Sequence, residues 1–275
     1  MRFTVNQYPL YCYTGGKAFD SAKPSIVFIH GVLNDHSVWI LQSRFLANHG
    51  YNVLAIDLPG HGKSEGSCPQ SVESAAQTVL DLLDTAGIQK AALVGHSWGS
   101  LIALHATSLA PQRITHLAMV CTAFPMKVSP ALLDNALNNP QTAINMVNTF
   151  SHSSLAPPPS SLGPGTWLYG GSRALMRRVL ANNPRENVFH IGFKACDQYS
   201  GANTAMASVN SAQAAILFIV GELDQMTPAK AAQALIQLAP SAKVVILKGG
   251  HSLMSEAPDA TLFALRDFLQ LRPTV

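Results

Sequence analysis

The 275-residue chain is poor in charge, and what charge it has is not organised. Asp, Glu, Lys and Arg make up 12% of it, and 18 basic against 15 acidic side chains leave a formal +3. No stretch interleaves Lys and Arg with aromatics in the way a phosphate backbone requires, so nucleic acid is not an expected partner. A hydrophobic content of 48% with so few charges also excludes a disordered chain.

Long apolar runs are missing as well. The longest, 214–220, falls far short of the ~18 residues that cross a membrane. The opening Met1-Arg-Phe-Thr-Val-Asn-Gln-Tyr8 is polar where a signal peptide is greasy. The expectation is a cytoplasmic protein with no membrane span. Cysteine is scarce: Cys12, Cys68, Cys121 and Cys196 stand far apart without a C-x-x-C pair, a pattern of scattered reduced thiols rather than of a disulfide frame or a zinc site. Phosphate-binding loops fail too. Gly62-Lys63-Ser64 ends as a P-loop does, but Asp57 stands where its first glycine belongs, and Glu65 occupies the last place of a G-x-G-x-x-G spaced from Gly60 and Gly62.

What the chain does have is alternation. Largely apolar stretches at 26–29, 51–57, 91–94, 115–121, 214–220 and 243–247 read as strands, and 26–29 is apolar at every position, as a parallel strand covered on both faces is. Helices are predicted over 37–48, capped by Asn34, Asp35 or Ser37, then over 71–85, 101–110, 228–238 and 257–269. Ahead of them, 3–5 and 10–13 form an antiparallel hairpin joined near Pro9. The alternation breaks from Pro125 to about Asn210. No strand is evident there, only helical patches at 130–138, 142–150 and 173–180, interrupted by Pro140, by the proline-rich run 156–165 and by Pro184. A chain of this length accommodates one α/β domain with such an inserted piece.

One stretch organises the rest. Gly95-His96-Ser97-Trp98-Gly99 is a G-x-S-x-G pentapeptide set directly between the strand at 91–94 and the helix that Pro111 stops. On its own, such a pentapeptide also describes a plain Gly-Ser turn in a chain with 19 glycines. Between a strand and a helix it describes a strained reversal that lifts the Ser97 hydroxyl above the carboxyl end of a sheet, next to the free N–H groups of a helix start.

In this context the sequence resembles the α/β-hydrolase fold family. The resemblance implies a mostly parallel central sheet of about eight strands with helices on both faces, a core formed by 1–124 and 210–275, and a helical cap over 125–209. Asp57-Leu-Pro-Gly-His-Gly-Lys-Ser64 is similar to a structural turn of that family. His30-Gly31 is similar to its oxyanion loop, with the backbone N–H groups of Val32 and Trp98 as the implied oxyanion donors. His30 itself is read as bonding its own loop.

The family's catalytic order is Ser, then Asp or Glu, then His. Asp224 in Gly221-Glu222-Leu223-Asp224 follows a strand and is the acid, with Glu222 beside it as an alternative and Asp57 and Asp197 as weaker ones. His251, after the pair Gly249-Gly250, is the base. A serine at the elbow points to acyl chemistry, whereas haloalkane dehalogenases and epoxide hydrolases of this fold carry aspartate there. The expected activity is cleavage of a carboxylic ester of a small or medium, largely apolar molecule through an acyl-enzyme, without a metal or organic cofactor. A carbon–carbon bond hydrolase, thioesterase or perhydrolase with the same triad is the alternative within enzymes, and a slow-turnover ligand sensor is the alternative outside them. Leu132, Leu133, Met146, Phe150, Trp167, Tyr169, Met176 and Phe193 line an acyl pocket or form the cap's own core. Arg173, Arg177 and Arg178 read as a solvated helix face, and Cys121 as a buried thiol.

Overall fold

The strands that are apolar at every position lie in the middle of the sheet. In the computed structural model, which describes residues 1–20, 22–153, 167–212 and 214–270, eight strands form one sheet. They are β1 (Arg2–Val5), β2 (Tyr8–Tyr13), β3 (Ser25–Ile29), β4 (Asn52–Ile56), β5 (Ala91–His96), β6 (Ile114–Val120), β7 (Ala215–Gly221) and β8 (Lys243–Leu247), in the spatial order β1-β2-β4-β3-β5-β6-β7-β8. All pairs from β4 to β8 are parallel, while β1–β2 and β2–β4 are antiparallel. The hairpin turns at Asn6-Gln7, both with positive φ, so Pro9 sits inside β2 opposite Thr4 and not in the turn as expected. Although β2 lies between β1 and β4, β4 pairs with it only at Cys12 and Tyr13, so a residue that cannot donate is tolerated at Pro9.

Period-two geometry sends alternate residues of each buried strand to opposite faces. Val27, Ile29, Leu93, Leu117, Met119 and Phe218 face one side, and Phe28, Val53, Val94, Ala118, Leu217 and Ile219 face the other. The first side is covered by α2 (Val72–Thr85), α3 (Trp98–Leu109), α8 (Ala202–Ser211) and α9 (Gln233–Leu238), the second by α1 (Ile40–Asn48) and α11 (Pro258–Leu269). Asp35 caps the single 3-10 turn before α1, and Ser71 closes a capping box on α2.

Among the described residues, five helices separate β6 from β7: α4 (Pro130–Asn138), α5 (Pro140–Ser151), α6 (Leu168–Asn182), α7 (Val188–Gln198) and α8. The patches at 130–138, 142–150 and 173–180 correspond to α4, α5 and α6, with α5 and α6 longer than the patterns implied. Helices α7 and α8 were not expected. Their interrupted apolar periodicity is supported by tertiary contact, α7 on α4 and α3, α8 on α3 and α9. The proline-rich run 156–165 lies outside the described residues. Among the described residues no helix is long and apolar enough to cross a membrane, and Cys12, Cys68, Cys121 and Cys196 are all free and buried.

Helix α3 crosses its own strand at van der Waals distance. A β-carbon on Gly95 would lie 2.0 Å from the Gly99 carbonyl oxygen, and one on Gly99 would lie 2.4 Å from that of Ile29. Both obstacles are backbone, so neither can yield. Gly99→Ala is expected to cost more than about 3 kcal/mol. Gly87→Ala, where φ is +68° in open space, is expected to cost about 1–2 kcal/mol from the left-handed backbone alone. Urea midpoints of the two variants check the difference.

Candidate active site

Parallel strands deliver the ends of β3, β5, β6, β7 and β8 to one edge, and the residues singled out in the sequence follow those ends. Ser97 sits between β5 and α3 with φ 53° and ψ −119°, the strained reversal that the pentapeptide predicts. Its N–H donates to Val120 O at 2.9 Å and its carbonyl accepts from Ser100 N–H at 2.9 Å. The backbone is therefore fixed on both sides of the hydroxyl. Trp98 opens α3, where the first N–H groups have no partner within the helix. Gly31 lies against this turn: a β-carbon there would stand 3.2 Å from Ser97 Cβ and 2.9 Å from His96 Nδ1. Val32, the next residue, carries its side chain under Gly192 of α7.

At the far side of the edge, Asp224 is 5% and His251 6% exposed. His251 Nδ1 lies 2.8 Å from Asp224 Oδ2. Oδ2 also accepts the Thr227 hydroxyl at 2.7 Å, and Oδ1 accepts the N–H groups of Met226 and Thr227 at 2.8 Å each. A carboxylate cannot donate, so Nδ1 carries the proton and Nε2 keeps a lone pair for an acidic hydrogen. Burial alone would raise the Asp224 pKa. The His251 charge, the His251 hydrogen bond and the Thr227 donors outweigh it and hold the group down to about 2.

Ser97 and His251 line the same two cavities. One of about 300 Å³ runs between Val32, Ile40 and Leu41 on the core side and Leu168, Leu175 and Met176 on α6, and among its described lining residues none is Asp, Glu, Lys or Arg. The other, of about 250 Å³, is enclosed by Met126, Leu132, Met146 and Phe150, with Lys127 as its charged member. Phe193 and Met226 belong to both.

Of the three competing acids, Asp57 and Asp197 are engaged elsewhere. Glu222 is exposed. Asp57 accepts from His36 N–H and His36 Nδ1 at 2.7 and 2.8 Å and from Lys63 N–H at 2.8 Å, which closes the Pro59-Gly60 turn. Asp197 bonds Lys127 and Val128 N–H. His30 donates from Nδ1 to Gly31 O and accepts Leu58 N–H at Nε2, as expected of a loop-holding histidine. Cys121 is buried, and burial raises its pKa well above the usual thiol value. The arginine face differs from expectation at one position: Arg178 pairs with buried Asp35 at 2.8 Å and ties α6 to the turn before α1. Helical spacing alone does not register a partner 143 residues away. Thr227, three residues after Asp224, was not anticipated. Its signal was a hydroxyl at the spacing where an aspartate meets backbone donors.

A family model described as alpha/beta hydrolase fold matches residues 24–258. The chain belongs to the alpha/beta hydrolase fold family. Over 99 residues it is 38% identical to the dihydrolipoyllysine-residue acetyltransferase component of the acetoin cleaving system of Pseudomonas putida, a match spanning 36% of this chain and only 26% of that protein. It is 26% identical over 256 residues to the pimeloyl-[acyl-carrier protein] methyl ester esterase of Photobacterium profundum, covering 89% of this chain and 94% of the other. Among solved structures, the enol-lactonase of Burkholderia xenovorans superimposes with a TM-score of 0.81 at 22% identity, over 98% and 99% of the two chains. At that identity the likeness speaks for the alpha/beta hydrolase fold alone.

Three imidazoles are buried around this site. Burial lowers the pKa of His30. Burial, with a neighbouring His30 charge for His61 and a His251 charge for His96, lowers those two to about 3. Between pH 3 and 6.5 the unfolded chain then holds protons that the folded one refuses, so this stability is complete above pH 6.5 and is lost as the pH falls. At pH 5, His61 and His96 each cost about 2 kcal/mol relative to neutral pH. The urea midpoint is expected to be lower at pH 5 than at pH 7.5, with His61→Phe flattening the slope.

Proposed function

We propose that the protein is a serine hydrolase that cleaves a carboxylic ester with a small or medium, largely apolar acyl group. The observation that carries this reading is the Asp224–His251 hydrogen bond of 2.8 Å, which leaves Nε2 as the basic nitrogen in the cavities that Ser97 lines. A serine hydroxyl is a weak nucleophile until such a base removes its proton. In this reading His251 Nε2 takes the Ser97 proton as Oγ attacks the ester carbonyl, and Asp224 stabilises the imidazolium. The N–H groups of Val32 and Trp98 hold the oxyanion, the alcohol leaves with the proton from His251, and water activated by the same nitrogen releases the acid.

The substrate class comes from the lining. The larger cavity offers aliphatic and thioether surface with hydroxyls and one carboxamide, which suits an uncharged acyl chain. The inserted segment 125–209 acts as the cap, with α5, α6 and α7 over the elbow. An ester function also agrees with the esterase named among the relatives that match nearly end to end. The buried free thiols suit a reducing compartment such as the cytoplasm.

Covalent labelling by a fluorophosphonate and hydrolysis of nitrophenyl esters are expected to disappear together in Ser97→Ala. Asp224→Asn should retain the fold and lower kcat by about 10⁴, because the imidazole then adopts the wrong tautomer. Labelling that survives in Ser97→Ala would remove Ser97 from the nucleophile's role.

A further inference from the structure

His251 is anchored by its backbone as well as by its ring. Its N–H donates to Ser151 O at 2.8 Å, and Ser252 N–H reaches the same oxygen at 3.2 Å. Its own carbonyl lies 2.8 Å from His96 Nε2, which donates to it. Ser151 is the last residue of α5. A helix-terminal carbonyl, which has no acceptor role within its own helix, therefore holds the amide of the histidine from the inserted segment.

Glu256 lies against this junction. It is five residues beyond His251, at the end of α10 (Leu253–Glu256), and 6% exposed. Its Oε2 accepts Gly250 N–H at 2.5 Å, and its Oε1 accepts Ser153 N–H at 2.7 Å and the Ser153 hydroxyl at 3.1 Å. One carboxylate thus bridges the residue before His251 and the residue two past the end of α5. A β-carbon on Gly250 would lie 2.6 Å from Ser151 O, 2.8 Å from Glu256 Oε2 and 3.0 Å from Ser153 N. Loop, helix end and carboxylate converge there with no space for a side chain.

Burying a carboxylate is costly unless its oxygens are bonded, and the proposed transfer of the Ser97 proton to His251, with Asp224 behind it, does not use this one. The pair Gly249-Gly250 gives the loop the conformational freedom that a general base cannot tolerate, since its nitrogen must stay within about 0.5 Å of its working position. Glu256 removes that freedom.

We propose that Glu256 is a positioning residue that clamps the His251 loop to the end of α5, so that the inserted helices and the base move as one body. The proposal rests on the serine-hydrolase reading for the role of His251. It deepens that reading by making the base responsive to the cap: displacing α5 pulls the amide of His251 with it, and an open cap is a less reactive one.

The test compares wild type, Glu256→Gln, Glu256→Asp and Ser153→Ala in the full chain, reading kcat, KM, the rate of fluorophosphonate labelling and the far-downfield proton resonance of His251 Nδ1–H, identified by its loss in His251→Ala. Glu256→Gln keeps the shape but turns an NH₂ toward one of the N–H donors. It is expected to lower kcat and the labelling rate together by about 30-fold, as misplacement of a catalytic group does, with KM changed less than about threefold and the resonance broadened. Glu256→Asp, which keeps the acceptors on a shorter arm, should recover part of the rate. Ser153→Ala should show a smaller loss of the same kind. A folded Glu256→Gln that labels at the wild-type rate, or one that raises KM at constant kcat, overturns the clamp. Should that variant not fold, wild-type labelling and an unchanged resonance in Ser153→Ala overturn it equally. Absence of labelling in wild type would refute Ser97 as nucleophile instead, and the resonance would still report on the clamp.

Discussion

Helix α3 can lie directly on β3 and β5 only because two residues present no side chain at the crossing. Gly95 and Gly99 bring backbone against backbone, with projected β-carbon contacts of 2.0 and 2.4 Å, and that approach sets everything above it. The helix start comes under the sheet edge, the residue between the glycines is driven to φ 53°, and the loop after β3 is pressed against its β-carbon. A strained residue persists only where its surroundings over-determine it. Here the Val120 carbonyl, the Ser100 amide and the Gly31 contact supply that surplus. The strain is local, and the sheet and two helix layers offset it.

The polar groups at the edge form a second tier that depends on the first. Asp224, His251, Thr227, His96 and Glu256 are all buried at this edge, and they bond to one another and to the main chain. Each therefore specifies its neighbour: Thr227 and the loop amides orient the carboxylate, the carboxylate selects the tautomer of His251, and His96 and Ser151 hold the same residue by its main chain. Such a network is rigid because any member left alone pays the full desolvation cost. That rigidity is the preorganisation the proposed acyl chemistry needs, and it is assembled from five separate loops and helix ends.

Much of this was legible in the residues. Strands covered on both faces announce themselves by unbroken apolarity, and the chain order of Ser97, Asp224 and His251 survives any error in helix boundaries. What was not legible has a common cause. Pro9 has the look of a turn residue, because its tolerance inside β2 depends on how far β4 runs beside that strand. Helices α7 and α8 owe their stability to α3, α4 and α9, which no local pattern encodes. The Arg178–Asp35 pair and the Glu256–Ser153 bonds join residues 143 and 103 positions apart. Spacing rules reach only one or two helical turns, so side chains whose purpose is to join distant segments look like ordinary surface or core.

The four thiols add an experimental handle. Burial raises the pKa of Cys12, Cys68, Cys121 and Cys196, and a protonated sulfur without access to solvent is inert toward alkylating agents. Their positions divide the molecule: Cys12 in β2, Cys68 before α2, Cys121 beyond β6 and Cys196 in α7. Mapping which sulfur becomes modified first as the chain is gently loosened would give a native chronometer of regional opening, with no foreign probe and no engineered background to correct for.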